Sequence, residues 1–442
     1  MVIELKEHFT YKKLIRFTIP SVLMVIFTSI YSIVDGLFVA NFAGETPFAA
    51  LNFVWPFVMF FGALGFMFGI GGSALISKVR GEGDIKRANQ IFSMLIYTVI
   101  GLGIFFAFFG AFMIKPVLLL FGLDGQFLAD SLTYAYILFA AVPVFMLQFV
   151  FQEFLVAAER PKFGFWVNFG VGMTNVGLDA LFICGFHWGI AGAAWATLSG
   201  MAVGGIVPLI YFALPNKSPF RLGKTFFDGK ALVKVCTNGI SEFVANISAS
   251  VVIVLYNYQM LKFIGEGGVA AYGVVAYINF VFWAVFFGYS FGVAPIISYH
   301  FGAQNKEELH SLFIKSLVLI FWSGIILTIL AEVLTVPLVK MFIGYDEALL
   351  RMTTDGFRIY AISFLFSGFN FFASTFFTAL NNGGISAVIS GVRTLVLESL
   401  CVLILPLIFG INGIWGAIIV AEFLALLLSF FFFKRFKNRY GY

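Results

Sequence analysis

The chain has 442 residues, of which 61% are hydrophobic and 11% charged; its mean hydropathy is +1.00 and its net charge is +5. Soluble domains carry about 25% charged and about 45–50% apolar residues, so this composition excludes a soluble globular protein and indicates an integral membrane protein. The three cysteines, Cys184, Cys236 and Cys401, are far apart and indicate neither a disulfide framework nor a metal site.

Apolar stretches long enough to cross a bilayer recur along the whole chain. A membrane-spanning helix needs about 20 mostly apolar residues, and we predict roughly twelve such segments. They lie near 14–40, 47–76, 88–113, 133–157, 162–184, 190–213, 234–262, 268–299, 308–334, 354–380, 384–409 and 413–433. The first is too long for a cleavable signal peptide and lacks a small-residue cleavage site. The sequence therefore predicts an all-α integral membrane protein with twelve transmembrane helices.

Basic residues predict the orientation in the membrane. An even number of spans puts both termini on one side, and most of the 27 Lys and Arg fall in the termini and loops on that side. Cytoplasmic loops carry an excess of Lys and Arg, so both termini are predicted to be cytoplasmic. Only Arg393 lies well inside a span. The basic residues on the opposite side are Lys115, Lys262, Lys340, Arg351 and Arg358.

The chain repeats itself at half its length. A shift of 221 residues, half of 442, places residues 44–45 on 265–266, both Gly-Glu, and the Gly-Ile-x-Gly motif of 189–192 on that of 410–413. Six spans per repeat leave the two halves in the same orientation. We therefore expect two six-helix bundles related by a pseudo-two-fold axis along the membrane normal, with substrate bound between them.

The repeat also predicts the domain organisation. We expect an N-terminal six-helix lobe at 1–213 and a C-terminal six-helix lobe at 232–442. The polar stretch between them, 214–231, contains prolines and several lysines and is expected to be a cytoplasmic linker.

Two carboxylates, Asp35 and Asp179, lie inside apolar spans, where a side-chain charge costs a few kcal/mol or more. Tyr31 and Asn175 each precede one of these acids by four residues and so share its helix face. Thr197 adds a hydroxyl in the sixth span. Two nearby carboxylates resist joint ionisation, and such an oxygen-rich set suits a hard cation or a shared proton. The alternative is that each acid is a polar residue satisfied by a neighbouring helix.

Pro20 lies within the first span, before Asp35. Proline removes a backbone hydrogen bond and kinks a helix. Two interpretations remain open: a static packing kink, or a hinge whose bending depends on the state of Asp35.

This ordered set of residues resembles the multidrug and toxic compound extrusion (MATE) family over essentially the whole chain. The resembling residues are Pro20, Tyr31-x-x-x-Asp35, Asn175-x-x-x-Asp179 and Thr197. The resemblance implies two six-helix bundles that export cationic drugs in exchange for sodium ions or protons. It further implies a helix bent at Pro20 and an N-lobe cation site, with sodium as one expected occupant, formed by Asp35, Asn175, Asp179 and Thr197 with Tyr31 beside it.

The C-lobe departs from part of the family. Some members carry an acidic site in the tenth helix, where the matching position here is Asn370. The shift of 221 residues places Tyr256 opposite Asp35 and Leu400 opposite Asp179. The coupling chemistry is therefore expected only in the N-lobe.

Other polar residues inside spans are weaker candidates. Gln148 and Gln152 are expected either to line the N-lobe cavity or to hydrogen-bond within the core. Glu242 and Asn370 are further candidates for a cavity wall. Glu153, near the cytoplasmic end of the fourth span, is expected to reach water or Arg160.

Arg393 and Glu398 are five residues apart and cannot pair neatly on one helix face. Each is expected to pair across helices, with Glu422 as a candidate partner, and a structural role is favoured for both.

The leading hypothesis is a monomeric secondary active exporter in the cell membrane that moves organic cations or amphiphiles by alternating access. The coupling ion, proton or sodium, is left open, and no other cofactor and no nucleic acid partner is expected. The alternative is a flippase for a lipid-linked precursor, disfavoured because only Arg393 is basic well inside a span. We find no cluster with catalytic spacing and no nucleotide-binding motif, so an enzyme is not expected.

Overall fold

The structure, a computed structural model, describes residues 3–343 and 347–442, and within these it is helical without any β-strand. The α-helices are α1 (Tyr11–Phe38), α2 (Glu45–Gly81), α3 (Ile85–Leu120), α4 (Gly125–Ala157), α5 (Pro161–Asp179), α6 (Gly189–Ala213), α7 (Gly229–Phe263), α8 (Glu266–Gly302), α9 (Lys306–Ile343), α10 (Glu347–Ala361), α11 (Phe364–Ala379), α12 (Gly383–Gly391) and α13 (Ser399–Tyr440). Three π-helical segments extend or join them: Val39–Ala43, Ala180–Gly185 and Val392–Glu398.

Twelve membrane crossings account for the helices of the described residues, as predicted. Helices α1 to α9 each have the length and apolarity of one span, with α5 continued by its π-helical segment. Helices α10 and α11, bent by 51° at a short break, form one broken span. The element Gly383–Tyr440 has 58 residues, about 87 Å of helix, which is enough to cross twice. The chain turns at Gly410, whose φ of 58° glycine adopts without strain.

The two bundles meet in the halves of their helices nearest the chain termini, and the contact follows the sequence repeat. Gly81 of α2 lies against Tyr299 of α8, and its repeat counterpart Gly302 lies against Lys78, the counterpart of Tyr299. A Cβ atom on either glycine would come within 2.0 Å of the facing carbonyl oxygen. The helix backbones are therefore in direct contact, and the predicted pseudo-two-fold relation is confirmed.

The beginning of the chain ties the two bundles together on the face that carries the termini, called here the terminal face. The backbone N–H of Leu5 donates to Glu159 Oε1 of the first bundle at 2.8 Å. The N–H of Phe9 donates to Glu308 Oε1 of the second bundle, also at 2.8 Å. Phe9 is buried in an apolar cluster formed mainly by α8, α9 and α11. The segment 3–10 therefore contacts both bundles.

The polar segment between α6 and α7 runs along α3 on the same face. The Arg221 N–H donates to Asn89 Oδ1 at 2.8 Å, and the Thr225 hydroxyl donates to the Gln90 carbonyl at 2.8 Å. Helix α7 then begins at Gly229, capped by the Asp228 carboxylate, which accepts from the Ala231 N–H. The segment is thus held by specific hydrogen bonds.

Candidate functional site

One carboxamide connects three helices of the first bundle. Asn175 of α5 donates from Nδ2 to Asp35 Oδ1 of α1 at 3.2 Å and to Thr197 Oγ1 of α6 at 3.5 Å. Asp179 follows Asn175 by one helical turn, and its carboxyl group lies near that of Asp35. The structure therefore brings these four predicted residues together in the membrane half away from the terminal face.

The hydrogen bonding of this site is incomplete. Asp179 is 0% exposed, and neither of its carboxylate oxygens has a hydrogen-bond partner among the described residues. The buried Asn175 Oδ1 atom likewise accepts no hydrogen bond from any described residue. Leaving a buried carboxylate unpaired is strongly unfavourable, so it must be protonated or hold a cation. A carboxylate pair, an amide oxygen and a hydroxyl are ligands of the kind that a hard cation such as sodium accepts.

Both acids lie beside a change from α- to π-helix. Helix α1 becomes π-helical four residues after Asp35, at Val39, whose N–H is shared between the carbonyl oxygens of Asp35 and Gly36. Asp179 is the last residue of α5 before its π-helical segment. Short π-helical segments are rare and frequently occur at functional sites. The local backbone is therefore unusual beside both acids of this site.

Tyr31 and the two glutamines of α4 lie on the terminal side of the acid pair. The Tyr31 hydroxyl faces the Gln148 amide. Gln152 donates from Nε2 to Asn168 Oδ1 at 3.1 Å, and Asn168 in turn donates to Thr28 Oγ1 at 2.6 Å. Both glutamines also line a cavity of about 10 Å³, a volume that holds at most one water molecule. Gln152 is thus hydrogen-bonded within the core, while lining of a larger N-lobe cavity by Gln148 and Gln152 stays a prediction.

Tyr134 of α4 also lies at this site, although the sequence does not predict it. It is 1% exposed, its hydroxyl faces the Thr197 hydroxyl, and it is near both Asp35 and Asp179. A tyrosine near the end of an apolar span resembles an ordinary interfacial anchor, which explains the omission. The available signal was the polar series at positions 126, 130 and 134, spaced at one turn along one helix face.

A cavity of about 510 Å³ opens on the face opposite the termini, where α4 and α6 begin. Asp130 and Gln126 line it, and Gln126 Nε2 donates to Asp130 Oδ1 at 2.7 Å. His187 and Trp188 line its other side. Tyr134 lies one turn deeper than Asp130 on α4. A polar series of side chains therefore leads from this cavity towards the acid pair.

Pro20 lies at the contact between the bundles. Two residues before it, Thr18 packs on Gly292 of α8, and two residues after it, Val22 packs on Gly288. Helix α1 is continuous through the proline. Any change in bending at Pro20 would therefore act directly on the contact with the second bundle.

The second bundle contains a closed polar network. Arg393 donates from Nε and Nη2 to Glu422 Oε1 at 2.8 and 2.6 Å, and its guanidinium stacks on Phe371 with 3.8 Å to the ring centroid. Asn370 is fully buried and donates to Glu422 Oε2 at 2.7 Å. Arg393 thus pairs across helices as expected, whereas Glu398 has no ion pair in the described part of the chain.

The expectation for Glu153 was wrong. Arg160 donates instead to the carbonyl oxygen of Lys217, and Glu153 is almost completely enclosed beside Gly69 of α2. Glu242 of α7 is also buried. In the described residues, no group of three or more His, Cys, Asp or Glu side chains is arranged to hold a metal ion.

Comparisons with known proteins agree with this fold. A family model described as MatE matches residues 20–181 and 243–403, one match in each bundle. The multidrug export protein MepA of Staphylococcus haemolyticus (strain JCSC1435) is 24% identical over 442 residues, covering 98% of this chain and 95% of that protein. The crystal structure of a MATE protein in complex with MaL6 is similar with a TM-score of 0.93 at 20% identity, covering 98% of each chain. A MOP superfamily transporter from Pyrococcus furiosus gives a TM-score of 0.91 at 19% identity, again covering 98% of each chain.

Proposed function

The chain belongs to the MatE family of membrane transporters, and on that premise we propose that it is a multidrug exporter driven by inward flow of protons or sodium ions. It is a transporter and not an enzyme. Its proposed substrates are organic cations or other amphiphiles, because the Staphylococcus relatives are named multidrug export proteins. Export by alternating access, with substrate bound between the two bundles, is part of the proposal.

The observation that carries the coupling proposal is the unpaired Asp179 carboxylate beside Asp35. A transported ion must bind where it stabilises an otherwise unfavourable buried charge, and it must be able to dissociate again. Protonation, or a sodium ion held by the two carboxylates with Asn175 and Thr197, would remove the unpaired charge. The ion would reach the pair from the cavity lined by Asp130.

Helix α1 is the element that would transmit ion binding to the substrate path. Asp35 lies towards its far end, while Thr18 and Val22 pack on glycines of α8 in the other bundle. A change in the charge of Asp35 alters its hydrogen bond with Asn175, which holds the far half of α1 against α5. Bending at Pro20 would then change the contact between the bundles, so that ion binding alters substrate affinity.

We propose the orientation that the basic residues indicate, with both termini in the cytoplasm. The terminal face is then the cytoplasmic face, and the direct backbone contacts at Gly81 and Gly302 close the transporter on that side. We keep lobes at 1–213 and 232–442, a cytoplasmic linker at 214–231 and a monomeric assembly as parts of the same proposal.

The flippase alternative requires free positive charge for the pyrophosphate of a lipid-linked precursor. Arg393, the basic residue well inside a span, is matched by Glu422 and covered by Phe371. Its guanidinium is therefore already used within the second bundle, which favours the drug exporter.

The test is transport of a fluorescent organic cation in proteoliposomes with proton and sodium gradients imposed separately. Asp35→Asn and Asp179→Asn should abolish gradient-driven export, because neither amide can carry the coupling charge. Asp124→Asn is the matched control, since Asp124 is exposed and its side chain makes no capping hydrogen bond. Export at wild-type rates by both site variants would refute the coupling proposal.

A further inference from the structure

The segment that joins the two bundles carries positive charges without counter-charges. Arg221, Lys224 and Lys230 are exposed, and no carboxylate of the described residues forms an ion pair with any of them. The single acid between Arg221 and Lys230 is Asp228, whose carboxylate lies 3.6 Å from Arg87 and also caps helix α7. The basic side chains of this segment are therefore free to bind an anion.

Contacts with α3 place the segment at the boundary of the membrane. The Tyr97 hydroxyl donates to the Gly223 carbonyl oxygen at 3.3 Å, and the Gly223 N–H donates to Ser93 Oγ at 3.2 Å. Tyr97 begins an exposed stripe on one face of α3, which continues with Gly101, Ile104, Phe105 and Phe108. An exposed apolar stripe on a spanning helix faces lipid, and tyrosines are enriched where such a stripe meets the headgroups. Gly223 and its neighbours therefore lie at the level of the lipid headgroups on the terminal face.

The phenylalanines of the segment divide into one anchor and one outward pair. Phe220 is 1% exposed and stacks on Phe92 of α3, with ring centroids 5.3 Å apart. Phe226 and Phe227 are instead 60% and 74% exposed, although hydrogen bonds to α3 hold the chain on both sides of them. Aromatic residues flanked by basic ones are typical of segments that lie in the boundary between headgroups and acyl chains. The non-helical backbone cannot lie deeper, because its polar groups would lack partners in the hydrocarbon layer.

This combination of charge and apolar surface favours a phospholipid over a soluble anion. A free phosphate ion would use the basic residues and leave both phenylalanines in water. An anionic phospholipid satisfies both features, since its phosphate binds the basic residues and its acyl chains cover the aromatic rings. In the proposed orientation the leaflet is cytoplasmic, which is the leaflet that carries a negative surface potential. Because α3 already holds the segment in place, little conformational entropy is lost on binding.

We propose that residues 221–230, with the adjoining face of α3, form a binding site for anionic phospholipids of the leaflet on the terminal face. Arg221 and Lys224 bind the headgroup phosphate, while Phe226 and Phe227 insert beside the acyl chains. The segment connects α6 of the first bundle to α7 of the second, so a bound lipid holds this connection against the membrane. The inference goes beyond the proposed function, because it requires neither a coupling ion nor a drug.

Quenching of a fluorophore at position 227 by spin-labelled lipids tests the site on the full chain in vesicles. Phe227→Cys is labelled with bimane, a small apolar fluorophore, after the three native cysteines are replaced by serine. The vesicles contain phosphatidylcholine with a minor fraction of phosphatidylglycerol. In parallel samples, one lipid or the other carries a doxyl quencher near the headgroup end of its acyl chain. The ratio of the two quenching constants reports which lipid is enriched beside position 227.

The labelled phosphatidylglycerol should quench several-fold more strongly than the labelled phosphatidylcholine, because each basic residue near an anionic lipid surface contributes about fivefold in binding. Arg221→Gln combined with Lys224→Gln should bring the two quenching constants close to equality. Phe226→Ser should weaken quenching by both lipids, since less of the segment is inserted. The matched control, Arg435→Gln with Lys437→Gln, removes the same charge from exposed positions on the terminal face and should keep the preference.

Equal quenching by the two lipids before any charge is removed would overturn the inference. An equal loss of preference in the site variant and the control would also overturn it, because the total surface charge would then explain the result. Sodium phosphate should leave the preference intact when compared with sodium chloride at the same ionic strength. Loss of the preference in phosphate would mean that the segment binds free phosphate and not lipid. The readout does not depend on transport, so failure of the lipid site would leave the proposed export function unaffected.

Discussion

Replacing Gly81 or Gly302 by alanine should open the bundles on the terminal face. In the closed form, a methyl group at either position would lie 2.0 Å from a backbone carbonyl oxygen of the other bundle, so the helices must move apart. Inserting a methyl group into a well-packed contact costs about 1–3 kcal/mol. Since the open form does not carry this cost, the open-to-closed ratio should rise about 5- to 150-fold.

The assay is the distance between spin labels on cysteines introduced at Lys86 and Glu307, which are exposed and related by the repeat, measured by pulsed electron paramagnetic resonance under conditions where the wild type is closed. Because Gly81 and Gly302 are repeat counterparts, the two variants should behave alike. Gly101→Ala is the matched control: a Cβ atom at Gly101 of α3 would meet nothing within 4 Å. If both interface variants keep the wild-type distance distribution, the terminal contact is not the closure that the structure indicates.

Two further substitutions probe the bundles, one in each. Tyr134→Phe removes the hydroxyl that faces Thr197 and should weaken ion-driven export several-fold while leaving the thermal midpoint nearly unchanged; loss of folding instead would contradict a site role. Glu422→Gln leaves the buried Arg393 without its counter-charge and should lower stability by about 3–5 kcal/mol, measured by thermal unfolding in detergent. An unchanged thermal midpoint in that variant would mean that the pair does not stabilise the second bundle.

The crossings and the repeat were predictable because apolar length and composition determine both. The ends of the helices were not, since hydropathy detects only the part of a helix inside the hydrocarbon layer. Helix α4, for example, begins at Gly125, whereas the apolar stretch was placed from 133. Its first two turns carry Gln126 and Asp130, which line the cavity and lower the local hydropathy.

The candidate site was predictable in part for the same physical reason. Acids in an apolar span are conspicuous, so Asp35 and Asp179 stood out, and helical spacing added Asn175. Tyr134 was not predictable, because its role depends on which helix packs against α4, and the sequence does not show that packing. Glu153 shows the same limit. Its position near the end of the span suggested contact with water, but the packing of α2 against this side chain buries it.

The central claim is that ion and substrate binding are coupled through Asp179 and its neighbours. The most direct measurement is the Kd of ethidium for the purified protein across a pH series and a sodium series, for the wild type and for Asp179→Asn. Coupling is reciprocal, so in the wild type one of the two series should change the Kd, by up to about tenfold per pH unit for each linked proton. Asp179→Asn should bind ethidium with a Kd that no longer depends on that ion. The same ion dependence in wild type and variant would contradict the account.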